Sequence, residues 1–158
     1  MPTSDSVRIA PADGKLGILI PGIGAVSTTF MAGVEAVKRG AGLPVGSLTQ
    51  MATIRLGKRT DNRTPRINDF VPLAGLDDLV FGGWDIYEDS AYHAAAKAKV
   101  LDPALLEQVR EPLEAVRPMK AVFDPEYIRR INGPNVKEGR TKMDKAEMLM
   151  EDIQNFRQ

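Results

Sequence analysis

The chain contains no cysteine. That excludes a disulfide framework, a thiolate nucleophile and any cysteine-ligated metal. It contains one histidine, His93, so no site can draw two imidazoles from one chain, and no bound metal is expected. No apolar run approaches the roughly 18 residues that a membrane span needs. The first 12 residues lack the basic start and long apolar stretch of a signal peptide. A soluble, cytoplasmic chain without a membrane partner is therefore expected. There is also no excess of either charge: 21 Lys and Arg balance 21 Asp and Glu. A neutral chain argues against a general nucleic-acid binder, which needs a basic surplus. What is present is ordinary for a folded domain, with 43% hydrophobic and 27% charged residues. A length of 158 residues suits one domain. It is short for an enzyme with a dinucleotide domain and a separate substrate domain.

Residues 1–14 are polar and carry Pro2, Pro11 and Gly14, which reads as a flexible arm. Residues 16–20, Leu-Gly-Ile-Leu-Ile, form a short continuous apolar run ahead of Pro21-Gly22. That pattern predicts a strand buried on both faces, as in a parallel sheet. A helical pattern follows to about Arg39, with Val26, Phe30, Val34 and Val37 on one face and Gly40 and Gly42 as stop signals. Residues 45–51 read as a second strand and residues 79–82 as a third. Between them, residues 53–72 show no periodicity and read as a long excursion. Ser90 or Asp89 can cap a helix to about Val100. Asp102-Pro103 opens another, which Pro112 should kink or divide. Asp124-Pro125 predicts a helix to about Ile131. Asp144-x-x-Glu147 resembles a capping box ahead of a last helix whose apolar face is Ala146, Leu149, Ile153 and Phe156. The fold class is α/β: a partial Rossmann-like, doubly wound parallel sheet with several helices.

The first chemical candidate is Gly22-x-Gly24-x-x-Ser27, set between a strand and a helix. The first glycine permits a tight turn. The second lets backbone approach a pyrophosphate, and the helix N-terminus offers N–H groups to the phosphates. Ser27 stands where a third glycine or alanine is usual, and its hydroxyl is placed to reach a phosphate. The acid that usually binds ribose, about 20 residues further on, is missing: Thr49 and Gln50 stand there. Asp85, just past the third strand, is the nearest acid in an equivalent place, and it reads either as a ribose acceptor or as a turn cap. Arg55, Lys58, Arg59, Arg63 and Arg66 crowd one loop with Asp61 as the only acid. The loop reads as a solvated face or as a contact for phosphates, RNA or an acidic subunit. His93 reads as a surface or packing residue. Trp84 reads as a core anchor or a stacking platform. No lysine stands in a setting apolar enough to depress its pKa, Lys120 coming closest.

Three segments together are more specific than the glycine pattern. They are residues 16–33, beginning Leu-Gly-Ile-Leu-Ile-Pro-Gly-Ile-Gly; residues 46–57, beginning Gly-Ser-Leu-Thr-Gln; and residues 82–86, Gly-Gly-Trp-Asp-Ile. Their order and spacing resemble the N-terminal part of myo-inositol-1-phosphate synthase, also called inositol-3-phosphate synthase, in a bacterial-type form. The similarity runs over residues 15–158. The resemblance implies NAD as cofactor. It implies that Gly22, Ile23, Gly24, Ala25, Val26 and Ser27 form the pyrophosphate turn. Asp85 and Ile86 would contact the adenosine half, with Thr49 and Gln50 at the cofactor edge.

The same resemblance implies an isomerase that converts D-glucose 6-phosphate to 1D-myo-inositol 3-phosphate. NAD oxidises the sugar, an aldol closure forms the ring, and NADH reduces the product, which feeds inositol and phospholipid biosynthesis. Family members are homotetramers much longer than this chain. Their substrate-binding lysines and catalytic acids lie C-terminal to the matching region. No catalytic residue is therefore expected within the 158 residues. Residues 15–158 are expected to be a partial NAD-binding domain, a fragment inactive alone, with the catalytic and tetramerisation domain absent. The other readings are a stand-alone nucleotide-binding module without catalysis and an RNA-contacting or assembly protein.

Overall fold

A computed structural model describes residues 13–157; the arm expected over residues 1–14 falls almost wholly outside them. Three parallel strands form the sheet in the order β1-β2-β3: β1 is Leu16–Pro21, β2 is Leu79–Asp85 and β3 is the two-residue Met119–Lys120. The register pairs Leu16 with Leu79 and Pro21 with Trp84, so β1 and β2 end side by side. The glycine turn after β1 therefore lies next to Asp85, the last residue of β2.

The described residues also form seven α-helices. They are α1 (Ala25–Lys38), α2 (Leu48–Met51), α3 (Ile67–Phe70), α4 (Ala91–Ala98), α5 (Pro103–Gln108), α6 (Arg110–Ala115) and α7 (Lys142–Arg157). α1 stops at a Schellman pair: Gly40 N–H donates to the Val37 carbonyl and Ala41 N–H to that of Ala36. Ser90 caps α4. Asp102 caps α5, accepting from the N–H groups of Ala104 and Leu105, with Pro103 at the first helical position. α5 and α6 divide at Val109, one residue past Gln108. Pro112 cannot donate to the Gln108 carbonyl four residues back, so the expected division is observed.

The core lies between one sheet face and α1, α4, α5 and α6. Met31, Ala32, Ala91, Val109 and Leu113 are fully buried there, and Ile20 and Phe81 pack onto them from the strands. The other face carries α7. Phe156 lies across two glycines: a Cβ on Gly17 would fall 2.8 Å from its ring, and one on Gly82 2.5 Å. The bare backbone of β1 and β2 is the seat for this ring.

Four expectations need correction. Residues 45–51 do not form a strand. The Ser47 N–H closes a turn onto the Pro44 carbonyl, α2 follows, and Val45 and Leu48 stand exposed. The apolar residues Val45, Leu48 and Met51 are spaced by three, which suits a helical turn better than a strand. The face of α1 is half as expected: Val34 is buried and Val37 half-buried, but Val26 is 85% and Phe30 46% exposed, while Ser27, Thr28, Met31, Ala32 and Ala36 are buried. Small side chains let the helix come close to its neighbours, and that outweighs the hydrophobicity of the Val and Phe stripe. Residues 124–131 form turns rather than a helix. Asp124 spends its side chain on the Glu126 N–H, and its carbonyl accepts from both Tyr127 and Ile128. Finally, the capping box of α7 lies one turn earlier than expected. Thr141 Oγ1 accepts from the Asp144 N–H, and the Asp144 carboxylate accepts from the Thr141 N–H. The side of α7 turned to the protein presents Leu149, Asp152 and Phe156, whereas Ala146 and Ile153 face solvent.

Two outcomes follow for α7. The Thr141 side chain and N–H, with the Arg140 N–H, hold the Asp144 carboxyl below the ordinary carboxylate range. A depressed folded-state pKa contributes stability above the unfolded value, and that contribution is lost as pH falls through the folded one. The stability advantage of the native chain over Asp144→Asn should therefore shrink below about pH 4, in urea melts run at stepped pH; a pH-independent difference would contradict the cap. Phe156→Ala should cost about 2 kcal/mol, less than a fully buried ring, and an unshifted urea midpoint would count against the glycine seat.

Candidate functional site

The site grows from the junction of β1, the glycine turn and α1. Gly22 has φ +94°, a conformation that side chains rarely adopt. Its N–H donates to the Trp84 carbonyl at 2.7 Å and ties the turn to β2. The Ser27 hydroxyl donates back to the Gly22 carbonyl at 2.6 Å. Thr28 Oγ1 likewise bonds the Gly24 carbonyl at 2.9 Å. Ser27 is thus buried and committed to the turn itself, where the sequence suggested a reach toward phosphate.

Asp85 closes the junction from the other strand. Its Oδ2 accepts from the Ile23 N–H at 2.6 Å and its Oδ1 from the Tyr87 N–H at 3.0 Å. Its carbonyl accepts from the buried Asn135 side chain at 2.8 Å. The turn-cap reading of Asp85 is observed, and its carboxylate also faces the glycine loop. The N-terminus of α1 has no side-chain cap and no acid in its first turn. Its positive end therefore meets the Asp85 carboxylate and the space beyond it.

That space is a cleft of about 850 Å³. The turn residues Pro21 to Ala25 and the strand end Trp84 to Tyr87 line one side. Ala94, Lys97 and Ala98 of α4 line another, with Val122 and Phe123 after β3. Ile128 and Ile131, from the turns that precede α7, and Leu149 of α7 complete it. Lys97 is paired with Asp89 at the rim, Nζ to Oδ2 at 2.6 Å. Apolar walls, the Asp85 carboxylate, the Lys97–Asp89 pair and a bare helix N-terminus suit a ligand with a planar apolar part, hydroxyls and phosphates.

Of the residues singled out from sequence, Gly22, Ile23, Gly24, Ala25, Asp85 and Ile86 come together in this cleft. Val26 points to solvent, and Ser27 lies beneath the turn. Thr49 and Gln50 sit on α2 and do not line the cleft; Gln50 accepts from Asn68 of α3. The basic loop closes as a small antiparallel ladder, Ile54 N–H to the Pro65 carbonyl and Leu56 N–H to that of Arg63, away from the cleft lining. His93 is exposed, with Nδ1 2.8 Å from Ser90 Oγ. Trp84 lines the cleft and donates its indole N–H to Asp152.

Three residues at the site escaped the sequence reading. Asn135, Lys137 and Asp152 act through contacts across 15 to 68 positions, which leave no local pattern. The one available signal is Asn132-Gly133-Pro134-Asn135. Such a loop advertises a tight backbone approach, and a Cβ at Gly133 would strike the Ile86 carbonyl.

With this geometry in view, the chain can be set beside known proteins. The family model described as Myo-inositol-1-phosphate synthase, one of the NAD-binding models, matches residues 16–158. Inositol-3-phosphate synthase 1 of Bacteroides thetaiotaomicron is 45% identical over 151 residues, covering 95% of this chain and 34% of that protein. Inositol-3-phosphate synthase of Brassica napus is 33% identical, covering 91% of this chain and 31% of its own. The crystal structure of inositol-3-phosphate synthase from Caenorhabditis elegans superposes with a TM-score of 0.75 at 28% identity, over 89% of this chain and 31% of that one. The chain thus spans about a third of the length of the relatives it matches.

Asp85→Ala removes the acceptor of two backbone N–H groups. It should lower stability by about 1–3 kcal/mol, read by chemical denaturation. Unchanged stability would show that the turn does not lean on this carboxylate.

Proposed function

The chain belongs to the myo-inositol-1-phosphate synthase family, and from that premise we propose that it forms the NAD-binding part of an inositol-3-phosphate synthase. The observation that carries this reading is the meeting of Asp85 with the glycine turn at the uncapped end of α1. The residues present fit a dinucleotide. Gly24 has an ordinary φ of −96°, and a Cβ built there meets no protein atom within 4 Å. The protein's own packing does not require glycine at this position, while a phosphate brought against the turn does.

In the proposed complex the N–H groups of Gly24, Ala25 and Val26 hold the pyrophosphate with the dipole of α1. Asp85 accepts from ribose hydroxyls with the lone pairs left over from Ile23 and Tyr87. Trp84 and Ile86 form an apolar wall beside the adenosine half. NAD, when bound, supplies a hydride acceptor and donor for a sugar carbon. The protein's part is to orient it and to keep the wall dry.

Conversion of D-glucose 6-phosphate to 1D-myo-inositol 3-phosphate, homotetramer formation and a cytoplasmic role in inositol and phospholipid biosynthesis belong to the same proposal for the whole enzyme. Among the described residues no helix is long and apolar enough to cross a membrane. The proposal assigns this chain dinucleotide binding without turnover. Inositol phosphate formed from glucose 6-phosphate and NAD by the pure 158-residue chain would overturn that division.

Calorimetry provides the binding test. NAD should bind the folded chain, and Gly24→Ala should weaken it at least about tenfold while the thermal midpoint stays in place. Asp85→Asn should weaken NAD more than it weakens inorganic pyrophosphate. Absence of NAD binding by a folded chain would sink the reading.

A further inference from the structure

The wall of the cleft is held from behind by a half-buried polar chain. Trp84 is the only tryptophan in the molecule. Its Nε1–H donates to Asp152 Oδ2 at 2.6 Å. The same carboxylate takes the Lys137 ammonium, at 3.0 Å on Oδ1 and 2.9 Å on Oδ2. The side chains of Lys137 and Asp152 are only 12% and 17% exposed. These three residues come from β2, the loop after β3, and α7, and they meet only through the fold.

An ion pair at this depth loses solvation and is a weak source of stability on its own. Its geometry serves a narrower end. An indole in an apolar wall can rotate about χ1 and χ2, and most rotamers would swing the ring into the cleft or out to solvent. A carboxylate behind the ring selects the rotamer that directs N–H away from the cleft. Lys137 in turn holds that carboxylate in place through both of its oxygens. Charge-assisted bonds of this length are the stronger kind.

We propose that Asp152, held by Lys137, is a positioning residue that fixes the Trp84 ring as the wall of the dinucleotide cleft. The inference rests on the NAD reading above. It also gives α7 a part in the site: Leu149, one turn before Asp152, lines the same cleft. The helix that closes the second sheet face thereby sets the shape of a binding surface whose polar contacts all come from β1, α1 and β2.

The single indole gives one Nε1–H signal in a proton–nitrogen NMR spectrum of the full 158-residue chain. In the native chain this proton should exchange slowly with water, and its signal should shift on adding NAD. Asp152→Ala should bring fast exchange and weaken NAD about tenfold, the value of one charge-assisted hydrogen bond. Asp152→Asn keeps an acceptor oxygen for the indole, so it should preserve slow exchange and hold NAD affinity within a few-fold. It remains informative if the alanine variant does not fold. In a Trp84→Phe background the effect of Asp152→Ala on NAD affinity should vanish, which a merely structural role would not produce. Slow exchange surviving Asp152→Ala, or an undiminished effect in the Trp84→Phe background, overturns the inference. If the native chain takes no NAD at all, the reading of the cleft fails, and the exchange result still decides whether Asp152 holds the indole.

Discussion

One hydrogen bond organises the functional end of this protein: the Ile23 N–H to Asp85 Oδ2, at 2.6 Å. It joins the turn that leaves β1 to the residue that ends β2, across 62 positions of sequence. The parallel register makes it reachable, because Pro21 lies opposite Trp84 and the next residues of each chain diverge from that point. A slip of two residues would carry the carboxylate more than 6 Å along the strand. The start of α1, the direction of its dipole and the mouth of the cleft all inherit their place from this contact.

The two faces of the sheet are built on different physics. One is a conventional core, in which Met31, Val109 and Leu113 are sealed among small alanines. On the other, the strands set two glycines, Gly17 and Gly82, beside Trp84 where α7 crosses. There the helix contributes the bulk through Phe156 and the polarity through Asp152, and the strands contribute bare backbone at Gly17 and Gly82. Burial of Trp84 between a carboxylate and an apolar cleft follows from this asymmetry, because only a helix lying close to the strands can reach the indole.

The parts legible in the sequence were those whose signals are local. The run at 16–20, the glycine turn, the start of α5 at Asp102-Pro103 and its break ahead of Pro112 each depend on residues within a turn or two. The residues alone left Asp85 open between a ribose acceptor and a turn cap, and the structure shows the cap. Segment 45–51 misled because its apolar residues, Val45, Leu48 and Met51, carry the spacing of a helical turn and not of a strand. The Val26 and Phe30 stripe misled because hydrophobicity is scored without knowing how near the neighbouring elements come. Small residues such as Ser27, Thr28 and Ala32 won the interior by fitting a short gap. The box expected at Asp144–Glu147 forms at Thr141–Asp144 instead, because both pairs satisfy the same spacing. Asn135, Lys137 and Asp152 were illegible in principle, since their partners are brought to them only by the completed sheet.

The glycine turn is fastened by the protein's own bonds, donated by the Gly22 N–H and the Ser27 hydroxyl and accepted by the Asp85 carboxylate. A loop fixed in this way has already surrendered its conformational entropy during folding. A guest that docks against it need not order the host, so nearly all of the ordering cost of association falls on the guest's own rotatable bonds. Affinity at such a site is then governed by how stiff the ligand is, and a long, flexible dinucleotide would gain more from preorganisation of its own shape than from any further tightening of the protein.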